Sequence, residues 1–92
     1  MATLPVQLDE EALIRDLIAD IDLPEGVNFD RIVLASEWTG EPCWQVHFVV
    51  AKKKTYTKAF VRRVGDIRRE LHERLRHYSL EKWAFVNFDE AR

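Results

Sequence analysis

The sequence predicts an α+β fold, a two-layer αββαβ sandwich in which two helices cover one face of a three-stranded mixed sheet. Three observations lead there. Two segments repeat apolar residues at helical spacing, three shorter ones alternate or are rich in strand formers, and the longer helical segment falls between the second and third strands. A helix in that position returns the third strand parallel to the second, most simply beside the first, which gives sheet order 2-1-3.

Residues 9 to 21 read as the first helix, with Leu13, Ile14, Leu17, Ile18 and Ile21 on one stripe. Asp9 suits the N-cap, Glu10 and Glu11 complement the positive end of the helix dipole, and Leu8 can staple onto Leu13. Leu23-Pro24-Glu25-Gly26 ends the helix. Asp16, Asp20 and Asp22 sit toward its far end, where the dipole disfavours carboxylates, and this points to a cationic neighbour, for which the basic half of the same chain is the obvious candidate.

Residues 29 to 38 and 43 to 51 flank Thr39-Gly40-Glu41-Pro42 and read as an antiparallel hairpin. Trp44, Val46, Phe48 and Val50 share one face of the second strand, and Ile32, Leu34 and Trp38 share one face of the first. That face is the expected core side. The other face is mixed: Arg31, Val33, Ala35 and Glu37 beside Gln45, His47 and Val49.

Residues 58 to 77 form the second helix, since Phe60, Val64, Ile67, Leu71, Leu75 and Tyr78 follow one another at three or four positions. Lys58, Arg62, Arg69 and Arg76 fall in a stripe opposite that seam and are expected to face solvent. Residues 83 to 88, Trp-Ala-Phe-Val-Asn-Phe, read as the last strand.

Length and composition set bounds. A chain of 92 residues, 47% hydrophobic and 33% charged, has the make-up of one compact domain spanning residues 1–92. It buries only about 60 to 65% of its unfolded surface, so a partner covering a leftover apolar patch would add stability. Cys43 is the single cysteine, and with three scattered histidines it matches no usual zinc spacing. No bound metal or cofactor is expected. The N-terminus lacks the pattern of a secretory signal and no apolar run is long enough for a membrane span, so a soluble, cytoplasmic protein without membrane contact is expected.

Charge is strongly segregated. Ten of the fourteen Lys and Arg lie in residues 52 to 76, residues 1 to 51 carry a net charge of -8, and residues 52 to 82 carry +7. Such polarity can attract nucleic acid, pair two copies, or be neutralised internally. The run Lys52-Lys53-Lys54-Thr55-Tyr56-Thr57-Lys58 puts four cations at a helix start, where positive charge is unfavourable. Lys52, Lys53, Lys54, Thr57, Lys58, Arg62 and Arg69 are therefore the candidate anion or phosphate site. Plainer explanations compete: edge lysines deter aggregation, Thr57 caps the helix, and Arg62–Asp66, Arg69–Glu73 and Glu70–Arg74 can neutralise one another at i, i+4. A pI near 5.9 also weighs against a dedicated nucleic-acid domain.

The last strand is apolar on both sides. Whichever of Trp83/Phe85 and Ala84/Val86/Phe88 faces the helices, the other set points outward with Val33, Ala35 and Val49. Val33, Ala35, Val49, Trp83 and Phe85 are the candidate interface residues. His47, His72, His77 and Cys43 form no pair with catalytic spacing, so no enzyme activity is expected. The sequence favours a small protein-binding module that self-associates as a homodimer or larger homo-oligomer through the open sheet face or its opposed charge halves. The alternative is an RNA- or DNA-binding accessory protein that contacts phosphate through residues 52 to 76.

Overall fold

The computed structural model describes residues 9–91. Elements run in the order α1 (Glu10–Ala19), β1 (Val27–Ser36), β2 (Pro42–Val50), α2 (Lys58–Leu75) and β3 (Ala84–Glu90). The Asp9 carboxylate caps α1 by accepting from the Ala12 N–H at 3.1 Å. Ile14, Leu17 and Ile18 form its buried stripe. The helix stops two residues earlier than its apolar spacing suggests, because Asp20 and Ile21 close tighter turns onto the Leu17 and Ile18 carbonyls. Ile21 stays buried beyond the helix end. The expected staple partner Leu8 lies outside the described residues.

Gly26, at φ +91, turns the chain into β1 in a conformation that L side chains rarely adopt. β1 pairs antiparallel with β2, from Val27 opposite Val50 to Ser36 opposite Pro42. A bulge between Phe29 and Arg31 changes which residues face the helices. Val27 and Phe29 share the core face before it, and Ile32 and Leu34 share that face after it. The connecting turn runs from Glu37 to Glu41, with backbone bonds from Glu37 N–H to Glu41 and from Gly40 N–H to Glu37.

β3 pairs in parallel with β2, Trp44 opposite Ala84 through Val50 opposite Glu90, and the strand order is β1-β2-β3. The mixed sheet and the helices on one side are as expected, but the order 2-1-3 is not. β2, not β1, is central. The polar residues of the two strands fit this order: β1 carries Asn28, Asp30, Arg31 and Ser36 in exposed positions, whereas no residue of β2 after Pro42 is exposed. The less polar of the hairpin strands takes the middle, where both of its edges find partners.

The core lies between the helices and one sheet face: Ile14, Leu17 and Ile18 from α1, Ile67, Leu71 and Leu75 from α2, and Ile32, Val46, Phe48, Ala84 and Val86 below them. Phe29 meets Phe48 edge-on and Phe88 stacks on it at 5.1 Å. Three residues expected on buried faces lie outside this volume. Leu34 is 56% exposed on β1, an outer strand, Trp38, in the turn, is 96% exposed, and Tyr78, past the end of α2 at Leu75, is 42% exposed.

Candidate functional site

The lysine run forms the link between β2 and α2. Lys52, Lys53, Lys54 and Lys58 are exposed. Thr57 caps α2, its hydroxyl accepting from the Phe60 N–H at 3.0 Å, so this oxygen is already engaged. Tyr56 turns inward: its hydroxyl accepts from the Lys53 N–H and lies 3.1 Å from the Ala51 carbonyl and 3.2 Å from a Glu90 oxygen. Its ring stacks on Phe60 at 5.4 Å, and the Lys53 ammonium lies 5.5 Å from the Phe60 ring centre. Beside this pair, at the carboxyl ends of β2 and β3, an open apolar cleft of about 210 Å³ is lined by Val50, Tyr56, Phe60, Val61, Val64, Phe88 and Glu90.

Arg62 and Arg69 are exposed on α2. Charge is neutralised within the helix, but with partners other than the expected ones: Arg69 pairs with Asp66 and Arg63 with Glu70, both at 2.8 Å, and Arg76 lies 3.6 Å from Glu73. Among the described residues, Lys52, Lys54, Lys58 and Arg62 have no acidic partner. Nor is the expected acid-to-base contact between the two helices made by carboxylates. Arg63 reaches the backbone carbonyl of Asp22, while Asp16, Asp20 and Asp22 make no ion pair among the described residues. Every described pair of an arginine with a carboxylate joins neighbours within a helix or strand or its cap, and the described contact between strands is that of His47 with Asp89.

The open sheet face carries Val33 and Ala35 of β1, Gln45, His47 and Val49 of β2, and Phe85, Asn87 and Asp89 of β3. Ala84 and Val86 are buried beneath the helices, which resolves the orientation of the last strand. Four of the five candidate interface residues, Val33, Ala35, Val49 and Phe85, thus share this face. Polar pairs cross its centre: the Asn87 side-chain amide donates to Gln45 Oε1 at 2.5 Å, and His47 Nδ1 lies 3.0 Å from Asp89. Trp83 stands apart, stacking on His72 of α2 at 5.2 Å.

Three polar anchors carry no obvious sequence signal. Glu10 is buried, accepting from the Trp44 indole at 3.0 Å and from the Glu81 N–H at 2.6 Å, so it ties α1 to β2 and to the approach of β3. Arg68 donates to the Val86 carbonyl and His72 Nε2 to the Ala84 carbonyl, both at 3.1 Å. Because the Trp83 carbonyl bonds inward to Trp44, the Ala84 and Val86 carbonyls point away from β2. The outer edge of β3 is therefore covered by two α2 side chains. Their i, i+4 spacing was the available clue, but both residue types read equally well as surface.

Cys43 is a buried free thiol 3.8 Å from the Gln45 amide. Among the described residues, no group of three His, Cys, Asp or Glu side chains converges as metal ligands would, and no helix is long and apolar enough to cross a membrane. No family model, curated protein or solved structure matches the chain.

Proposed function

We propose that this chain is a protein-binding module whose first partner is a second copy of itself. One observation carries the reading: β1, at the edge of the sheet, exposes apolar side chains on both of its faces, Val33 at 39% on the open face and Leu34 at 56% on the helix side, with Trp38 in the turn that follows. On a chain this small, a partner that covers this edge adds to a modest core. The segregated charges support the same reading, since the acidic and basic halves leave each other unpaired among the described residues and remain available to a second molecule. The cytoplasmic setting, which a lone unpaired cysteine suits, belongs to this proposal.

Sedimentation velocity over a concentration series, at low and high salt, tests it. A concentration-dependent dimer is the expected result, and a strict monomer at high micromolar concentration under both conditions would remove the reading.

A second reading, contact with RNA or DNA phosphate, is favoured by one observation only: Lys52, Lys54, Lys58 and Arg62 are exposed without an acidic partner among the described residues. Oligonucleotide binding that falls steeply with salt and disappears in Lys53→Glu/Arg62→Glu would establish it instead.

A further inference from the structure

The two outer strands of the sheet differ in one respect that matters for pairing. On β3, Arg68 and His72 occupy the outward carbonyls of Val86 and Ala84. On β1 no described side chain does the equivalent. The direction of β1's backbone groups follows from the turn. The Glu37 N–H bonds to Glu41, and the register runs without interruption from Ser36 opposite Pro42 back to Arg31 opposite His47. Antiparallel alternation then makes Ala35, Val33 and Arg31 exchange bonds with β2 and turns the N–H and C=O of Ile32, Leu34 and Ser36 outward.

We infer that this edge is the self-association site: β1 of a second copy adds to it antiparallel, with Leu34 on the two-fold axis, joining the two sheets into one of six strands. The inference rests on the self-association proposed above and names its surface. An antiparallel strand pair is self-complementary, as a two-fold contact must be. The register is chosen by charge. With Leu34 opposite its own counterpart, Ile32 meets Ser36, Val33 meets Ala35, and Arg31 meets Glu37 of the second copy, twice by symmetry. In the single chain Arg31 leans on its neighbour Asp30, and Glu37 has no ion-pair partner among the described residues. Leu34, exposed in the single chain, is brought against an identical side chain. The bulge at Asp30 ends the flat part of the edge and limits the added ladder to the segment after it.

The test uses the full chain. Leu34→Pro removes an N–H that β2 does not use, and Leu34→Lys places a charge on the edge. Both should leave circular dichroism unchanged and abolish the dimer. Arg31→Glu alone and Glu37→Arg alone should each weaken association about tenfold, from two like-charge cross-strand pairs, and an equimolar mixture of the two variants should restore it. Amide exchange of Ile32, Leu34 and Ser36 should slow as wild-type concentration rises. A dimer whose Leu34 amide stays unprotected, and which Phe85→Ser dissociates instead, would overturn the edge while leaving self-association standing. A wild type that is monomeric throughout would remove both.

Discussion

The Trp44 indole N–H points at the Glu10 carboxylate, 3.0 Å from one oxygen, while the other oxygen receives the Glu81 backbone N–H. One side chain in the first turn of α1 thereby holds the central strand and the segment leading into β3. Glu10→Ala leaves both donors without an acceptor and should cost about 2 to 3 kcal/mol. Glu10→Gln retains one acceptor and should recover part of it. Urea unfolding followed by tryptophan fluorescence measures both, and a change within error for the alanine variant would remove the clasp.

Ile32 and Leu34 share a face of β1 and differ only in what lies above them. Ile32→Ala opens the core and should lose about 2 to 5 kcal/mol, whereas Leu34→Ala, compared at concentrations where the chain is monomeric, should change stability by about 0.5 kcal/mol or less. Equal losses would mean that Leu34 is as much a part of the core as Ile32.

Gly65 lies inside α2 with open space where a Cβ would stand, while Gly26 sits at φ +91. Gly65→Ala should therefore stabilise by about 0.5 to 1 kcal/mol, because alanine is the better helix former. Gly26→Ala should destabilise by about 1 to 2 kcal/mol through backbone strain, although its Cβ would meet only Ala51 at an ordinary 3.6 Å. Thermal melts of the two variants should move in opposite directions.

Thr57 distinguishes a cap from an anion ligand. Thr57→Ala should cost about 0.5 to 2 kcal/mol and Thr57→Asp little, since aspartate caps as well. An anion site would respond differently: phosphate would stabilise the wild type and would fail to stabilise the aspartate variant.

Arg68 and His72 cover the outer carbonyls of β3. Arg68→Ala/His72→Ala should leave secondary structure intact and raise the rate of ordered aggregation, read by thioflavin fluorescence on shaking. An unchanged rate would show that another feature protects that edge.

The elements were legible because their apolar spacing is regular: α1, α2 and the hairpin fall within a few residues of where the sequence puts them, and Thr57 and Asp9 cap as their chemistry suggests. Strand order was not, since alternation says which face is apolar and not which neighbour a strand takes. Leu34 is exposed on a strand that takes an edge of the sheet, a placement that alternation does not reveal. Glu10 was hidden for a related reason: a glutamate in a first helical turn already has a local explanation, so nothing in the sequence signals its long-range bonds. In the basic segment the local pairs were foreseen in kind, but Arg63, Arg69 and Arg76 chose other carboxylates, because i, i+3 and i, i+7 contacts were within reach as well.

The parallel pairing of β2 with β3 sets a condition on how the chain can fold as it is synthesised. The β1–β2 hairpin needs only local contacts, but on its own it is marginal and leaves the central strand with one bare edge. That edge is filled only after α2 has formed and β3, some forty residues later, has been made. Until then Val46 and Phe48 lie on an unprotected strand. A ribosome that pauses before Ala84 would hold out a central strand with one bare edge, and the pairing of β3 decides when that edge is covered.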